Sequence, residues 1–138
     1  MESEAYLGSL GLGTDMTPTI LVLLVTCVAG AVGAICRYCL DAIAKFFWSK
    51  PATVFVNLLG CFLIGLLAPL TMQDFQVLHY ALTTGFLGGF TTFSTAMLEA
   101  VNTIREQKIA RGLALAILPV VLGMALCGAG MAIAAAWL

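Results

Sequence analysis

Long apolar runs separated by short polar joints dominate the chain. A helix needs about 20 apolar residues to cross the hydrocarbon core of a bilayer. Four segments are long enough: residues 17–40, 51–73, 75–98 and 112–138. The first is apolar from Thr17 to Cys36 and continues past Arg37. Pro51 opens the second, where proline suits a helix's first turn, and Pro119 is a point for a kink in the fourth. None of the four alternates with the period of two that a strand needs, and four such strands could not close a barrel. The pattern predicts an all-α membrane protein, with residues 1–138 forming a single four-helix transmembrane domain.

The third segment departs from the others. GGFTTFST, residues 88–95, places glycines and hydroxyl side chains in the middle of an uncharged run. Asn57, in VFVNLLG, is the other polar group at depth. An amide in lipid is costly, so it must face protein or a water-filled path. From the residues alone, interhelical glue and an ion path are equally good accounts of Asn57. Small residues recur elsewhere too, at Gly30, Gly33, Gly85, Gly89, Gly123, Gly128 and Gly130. They let helix backbones approach closely where lipid gives no hydrophobic drive to associate. Four short helices make a thin bundle, which favours a dimer.

Composition agrees with a membrane protein. The chain has 138 residues, 62% hydrophobic and 9% charged, against about 25% charged in soluble domains, and its mean hydropathy is +1.07. A net charge of −1 implies neither a nucleic acid nor a broad anionic surface as partner. The N-terminal stretch carries Glu2, Glu4 and Asp15 and no basic start, so it reads as a tail rather than a signal peptide. The five cysteines read as small buried hydrophobes. Cys36 and Cys39 form a CxxC without the second pair a metal site needs. His79 reads as structural or interfacial, and no nucleophile–base constellation marks an enzyme.

All 6 basic residues (Arg37, Lys45, Lys50, Arg105, Lys108, Arg111) fall in the 1–2 and 3–4 connections. The termini and the 2–3 connection hold only acidic charge. By the positive-inside rule the basic connections face the cytoplasm and both termini face out of the plasma membrane.

Three stretches carry a family resemblance. GAVGAICRY (Gly30–Tyr38), FVNLLGCFLIGLL (Phe55–Leu67) and TTGFLGGFTTFST (Thr83–Thr95) with Glu99 resemble, in order and spacing, the Fluc/CrcB family of fluoride channels. The resemblance covers nearly the whole chain. It implies passive export of fluoride through pores at the interface of an antiparallel dimer. It implies a third helix broken at its glycines, with backbone carbonyls of Gly88 and Thr91 holding a structural Na⁺. It places Asn57, Phe93, Ser94 and Thr95 along the fluoride path. An amide N–H, rotatable hydroxyls and the electropositive edge of a phenyl ring can each replace hydration around a small anion without trapping it. Arg37 is expected in a vestibule or structural role, and Glu99 near the opposite mouth.

Ala96 stands where the family has a second phenylalanine. With the lopsided charge, it favours pairing with a homologous chain of opposite topology over pairing with itself. Two further readings remain. One is a non-conducting or single-pore partner subunit of a heterodimeric channel. The other is a small multidrug-type antiporter, which needs an acidic residue in the first span that is missing from 17–36.

Overall fold

The structure, a computed structural model, describes residues 16–48, 52–71 and 76–137. The acidic N-terminal residues, Pro51, Asp74 and the expected start of the third span at Phe75 lie outside them. Helix α1 spans Met16–Trp48, α2 Thr53–Thr71, α3 Gln76–Tyr80, α4 Gly88–Phe90, α5 Phe93–Arg105 and α6 Ile109–Ala135. No strand occurs among the described residues. Among the described residues, three helices are long and apolar enough to cross a bilayer: Thr19–Phe47 within α1, then α2 and α6.

Helix α1 runs to Trp48 rather than ending near residue 40. Its 33 residues extend about 50 Å at 1.5 Å per residue, well beyond a bilayer core. The added turns carry an i,i+4 ion pair, Lys45 Nζ to Asp41 Oδ2 at 2.6 Å, of the kind that supports a helix end.

The third apolar segment is divided. Between α3 and α4, residues Ala81–Leu87 form a wider, π-type turn. At its start Thr83 Oγ1 donates to His79 O at 2.6 Å, adding a side-chain donor to a backbone acceptor. The glycines expected to break this segment remain helical; Gly88 has φ −63° and ψ −39°. Gly85 and Gly89 serve close packing on α1 instead. A Cβ on Gly89 would lie 2.1 Å from the carbonyl oxygen of Gly30, so only glycine fits. The residues that leave the helix are the next two: Thr91 (φ −86°, ψ 157°) and Thr92 (φ −150°, ψ 114°).

Helix α1 lies along the Ala81–Phe90 stretch, while α2 and α5 lie along α6 and scarcely touch α1. At the α2–α3 corner, Thr71 Oγ1 donates to Leu67 O at 2.8 Å. It therefore accepts from His79 Nδ1 at 2.9 Å, which gives His79 a structural role. Between α5 and α6 the chain turns through Gln107 in left-handed backbone, φ 63°. Gln107 N–H bonds Ile104 O at 2.9 Å and Lys108 N–H bonds Thr103 O at 3.2 Å. That pair of bonds is a Schellman cap, with glutamine where glycine is usual. Beside it Lys108 Nζ bonds Glu106 Oε2 at 2.9 Å and holds that carboxyl below its ordinary pKa. All five cysteines are free, and Cys27 and Cys39 face outward rather than into a core.

Candidate functional site

Extended backbone at Thr91 and Thr92 creates polar groups that a continuous helix would have paired internally. At membrane depth these must find partners or line a cavity. One face of α2 meets them. Asn57 Nδ2 donates to Thr92 O at 2.8 Å, and Thr92 N–H donates to Asn57 Oδ1 at 2.7 Å. The amide thus pairs with Thr92 as a neighbouring strand would, using one of its two N–H groups and leaving the second. Gly60, one turn further along α2, makes room for the residue before: a Cβ there would lie 2.2 Å from the Thr91 methyl. Asn57 and Gly60, at i and i+3, together seat the interruption.

Thr92 also starts α5. Its Oγ1 accepts from the N–H of Thr95 at 3.4 Å, as an N-cap threonine does, and lies 3.1 Å from Thr95 Oγ1 and 3.4 Å from Ser94 Oγ. These hydroxyls form one connected group. Upstream, the N–H of Thr91 still bonds Leu87 O at 3.0 Å, and Thr91 Oγ1 bonds the same oxygen at 3.0 Å.

In an unbroken helix, the N–H of Thr92 would bond Gly88 O, and that of Thr95 would bond Thr91 O. Here one goes to Asn57 and the other to Thr92 Oγ1. The carbonyls of all four residues from Gly88 to Thr91 thus lose their usual donors, Gly88 and Thr91 among them. Gly88 faces open space: a Cβ there would meet only Thr83 O, at 3.9 Å.

The break borders two hollows. A groove of about 410 Å³ opens beside it, lined by Asn57, Thr91 and Thr92 at the polar end and by apolar residues of α2, α5 and α6. Phe93 stands at its edge, 69% exposed. Ala96 is buried and lines the same groove, and no other side chain among the described residues fills the space. A smaller cleft of about 80 Å³ leads from Thr92 and Thr95 to Arg37, Asp41 and Thr53. The Arg37 Nε there is buried with no hydrogen-bond partner among the described residues.

Glu99 accepts from the buried Thr53 Oγ1. That places Glu99 at the same end as Arg37, not at the opposite mouth expected from the sequence. The reason is the chain path: α5 runs from the break back toward the end where α1 stops and α2 begins. Asn57, Phe93, Ser94, Thr95, Gly88 and Thr91 all gather at or beside the break. The sequence marked Thr92 as a polar group of the third segment but not as the residue that Asn57 holds and that caps α5, and it did not single out Asp41. A threonine directly before a helical run was a readable N-cap signal, whereas no sequence signal marked Asp41.

Long apolar helices, a polar interruption clamped by an amide and a polar cleft running to it define an all-helical, multi-pass membrane protein. Its family follows from comparison with known proteins. The chain belongs to the CrcB-like family: residues 24–131 match the family described as CrcB-like protein, Camphor Resistance (CrcB). A protein of Salinibacter ruber named fluoride-specific ion channel FluC is 42% identical over 123 residues, covering 83% of this chain and 91% of its own. One of the same name from Ruminiclostridium cellulolyticum is 42% identical over 108 residues, covering 74% and 80%. Fluoride-specific ion channel FluC 3 of Bifidobacterium longum is 41% identical over 95 residues, covering 65% and 78%.

Proposed function

We propose that this chain is a fluoride-selective passive channel that lets F⁻ leave the cytoplasm. The observation that carries the reading is the clamped break at Thr91–Thr92, in a chain whose relatives are named fluoride-specific channels. Fluoride is small and strongly hydrated, so a path for it must offer donors in place of water. The second N–H of Asn57, the hydroxyls of Ser94 and Thr95 and the ring edge of Phe93 are such groups. None is a fixed cation, so an ion can leave as well as enter. Arg37 serves the vestibule, and Glu99 braces α5 on α2 through Thr53.

In this reading the third apolar segment is a fourth, interrupted membrane crossing. Two chains pack antiparallel about the interruption, with pores at their interface. A structural Na⁺ is held by carbonyls of Gly88 and Thr91, two of the four that the break leaves without helical donors, since a hard cation takes oxygen ligands. The open face of Gly88 suits a ligand shared with a second chain. Ala96 favours a second form of the assembly, in which the partner is a homologous chain of opposite topology that supplies the missing ring to one pore. The groove at Ala96, unfilled by the described residues, supports that form.

Fluoride efflux from liposomes holding the purified chain alone tests the function. Passive efflux of F⁻ without chloride efflux is expected. Efflux no faster than from empty liposomes, alone and with a homologous chain, would overturn the channel reading. Efflux only with the homologous chain would select the mixed dimer.

A further inference from the structure

The cleft that leads to Thr92 and Thr95 holds a fixed negative charge where an anion must enter. Asp41 lines it together with Arg37, Thr53, Thr92 and Thr95. Its carboxylate is held from two sides. Oδ1 accepts the backbone N–H of Ala52 at 3.1 Å, and Oδ2 meets Lys45 Nζ at 2.6 Å. It therefore cannot swing out of the cleft without giving up the contact that ties the end of α1 to the start of α2.

Among the described residues, the charges around the cleft balance. Arg37 and Lys45 are positive; Asp41 and Glu99 are negative, and Glu99 is within Coulombic range of Lys45. The two cations differ in placement. Arg37 lines the cleft itself, and its Nε is buried with no hydrogen-bond partner among the described residues, so its charge acts on the cleft from within the protein. The Lys45 side chain is 60% exposed and meets Asp41 from outside.

We propose that the Asp41–Lys45 pair tunes how tightly this cleft holds fluoride before the ion reaches Thr92 and Thr95. This rests on the channel reading above. An unopposed Arg37 would deepen the well for an anion, and conduction requires sites weak enough to leave. Asp41 offsets Arg37, and Lys45 sets how much of the Asp41 charge the ion meets. Asp41 is thus a positioning residue with an electrostatic effect on the path, rather than a group that ligates the ion.

The test uses the full chain in liposomes, with the half-saturating fluoride concentration for efflux measured at low and high ionic strength. Asp41→Asn keeps an oxygen to accept the Ala52 N–H and removes the charge. Its half-saturating concentration should fall by about tenfold at low salt. Lys45→Met leaves Asp41 uncompensated and should raise that concentration. The double variant should fall between the two. All three shifts should shrink as salt screens the charges over about a Debye length. Shifts of the same sign in both single variants, shifts that persist at high salt, or unchanged values beside a conducting wild type would overturn the proposal. Asp41→Asn that fails to assemble leaves the direction and salt dependence of Lys45→Met to decide it. A wild type that carries no fluoride would instead remove the channel reading itself.

Discussion

Asn57→Asp is the sharpest perturbation of the break. The substitution keeps Oδ1, which accepts from Thr92 N–H at 2.7 Å. It replaces the Nδ2 donor, 2.8 Å from Thr92 O, by a carboxylate oxygen. Losing the bond and orphaning the carbonyl costs about 1–3 kcal/mol. Two oxygens carrying negative charge then face each other in a medium that screens poorly, which moves the cost to the upper end of that range or beyond. At about 1.4 kcal/mol per decade, the clamped form becomes about a hundredfold rarer. The expected result in liposomes is fluoride efflux reduced to background, as read by a fluoride electrode. Thermal stability in detergent should fall with it and recover on acidification, since the introduced carboxyl, once protonated, regains a donor for Thr92 O. The wild type has no such recovery. Wild-type efflux and wild-type stability in the variant would show that Asn57 does not hold the break.

Phe93→Ala should lower efflux while leaving the monomer's thermal stability near wild type, because the ring is 69% exposed; efflux at the wild-type rate would place the path elsewhere. Gly89→Ala puts a Cβ 2.1 Å from Gly30 O and should destabilise by about 1–3 kcal/mol, read as a lower melting temperature. Gln107→Gly should raise the melting temperature, since glycine relieves about 1 kcal/mol of left-handed backbone cost at φ 63°; a lower value would mean that the glutamine side chain contributes more than its strain. Topology reporters fused to the C-terminus should give a single exterior signal, and a roughly equal split between the two sides would restore dual insertion and the homodimer.

Helix positions were readable because apolar length alone marks them, and the bounds of α2 and α6 fall close to the expected runs. The far end of α1 was less readable: Leu40–Trp48 mixes charged and aromatic residues, and the Asp41–Lys45 pair and the buried Ala44 that accompany the added turns have no apolar run to announce them. At the break, the sequence marked the right stretch but pointed to the glycines. Glycine permits departure from a helix without requiring it, and tight packing on α1 uses that smallness instead. The departure falls on Thr91 and Thr92, where partners on α2 wait. Asn57 showed the same limit. A polar residue at depth announces that it has a partner, but whether that partner is an ion or a backbone depends on a residue 35 positions away. The neighbours of Glu99 were hidden for the same reason, since its tie to Thr53 joins separate helices.

The clamp has a consequence for biogenesis. Asn57 precedes Thr92 by 35 residues, so α2 leaves the ribosome well before the interrupted segment does. The backbone groups at Thr92 are hard to release into lipid alone, but the amide that satisfies them is already made and can be waiting in the bilayer. In the four-crossing reading, insertion of the third segment is templated by the second, and the order of synthesis supplies the partner before the need for it arises. A circular permutation that delivered residues 76–105 ahead of α2 would keep the Asn57–Thr92 bonds in the finished protein while removing that head start.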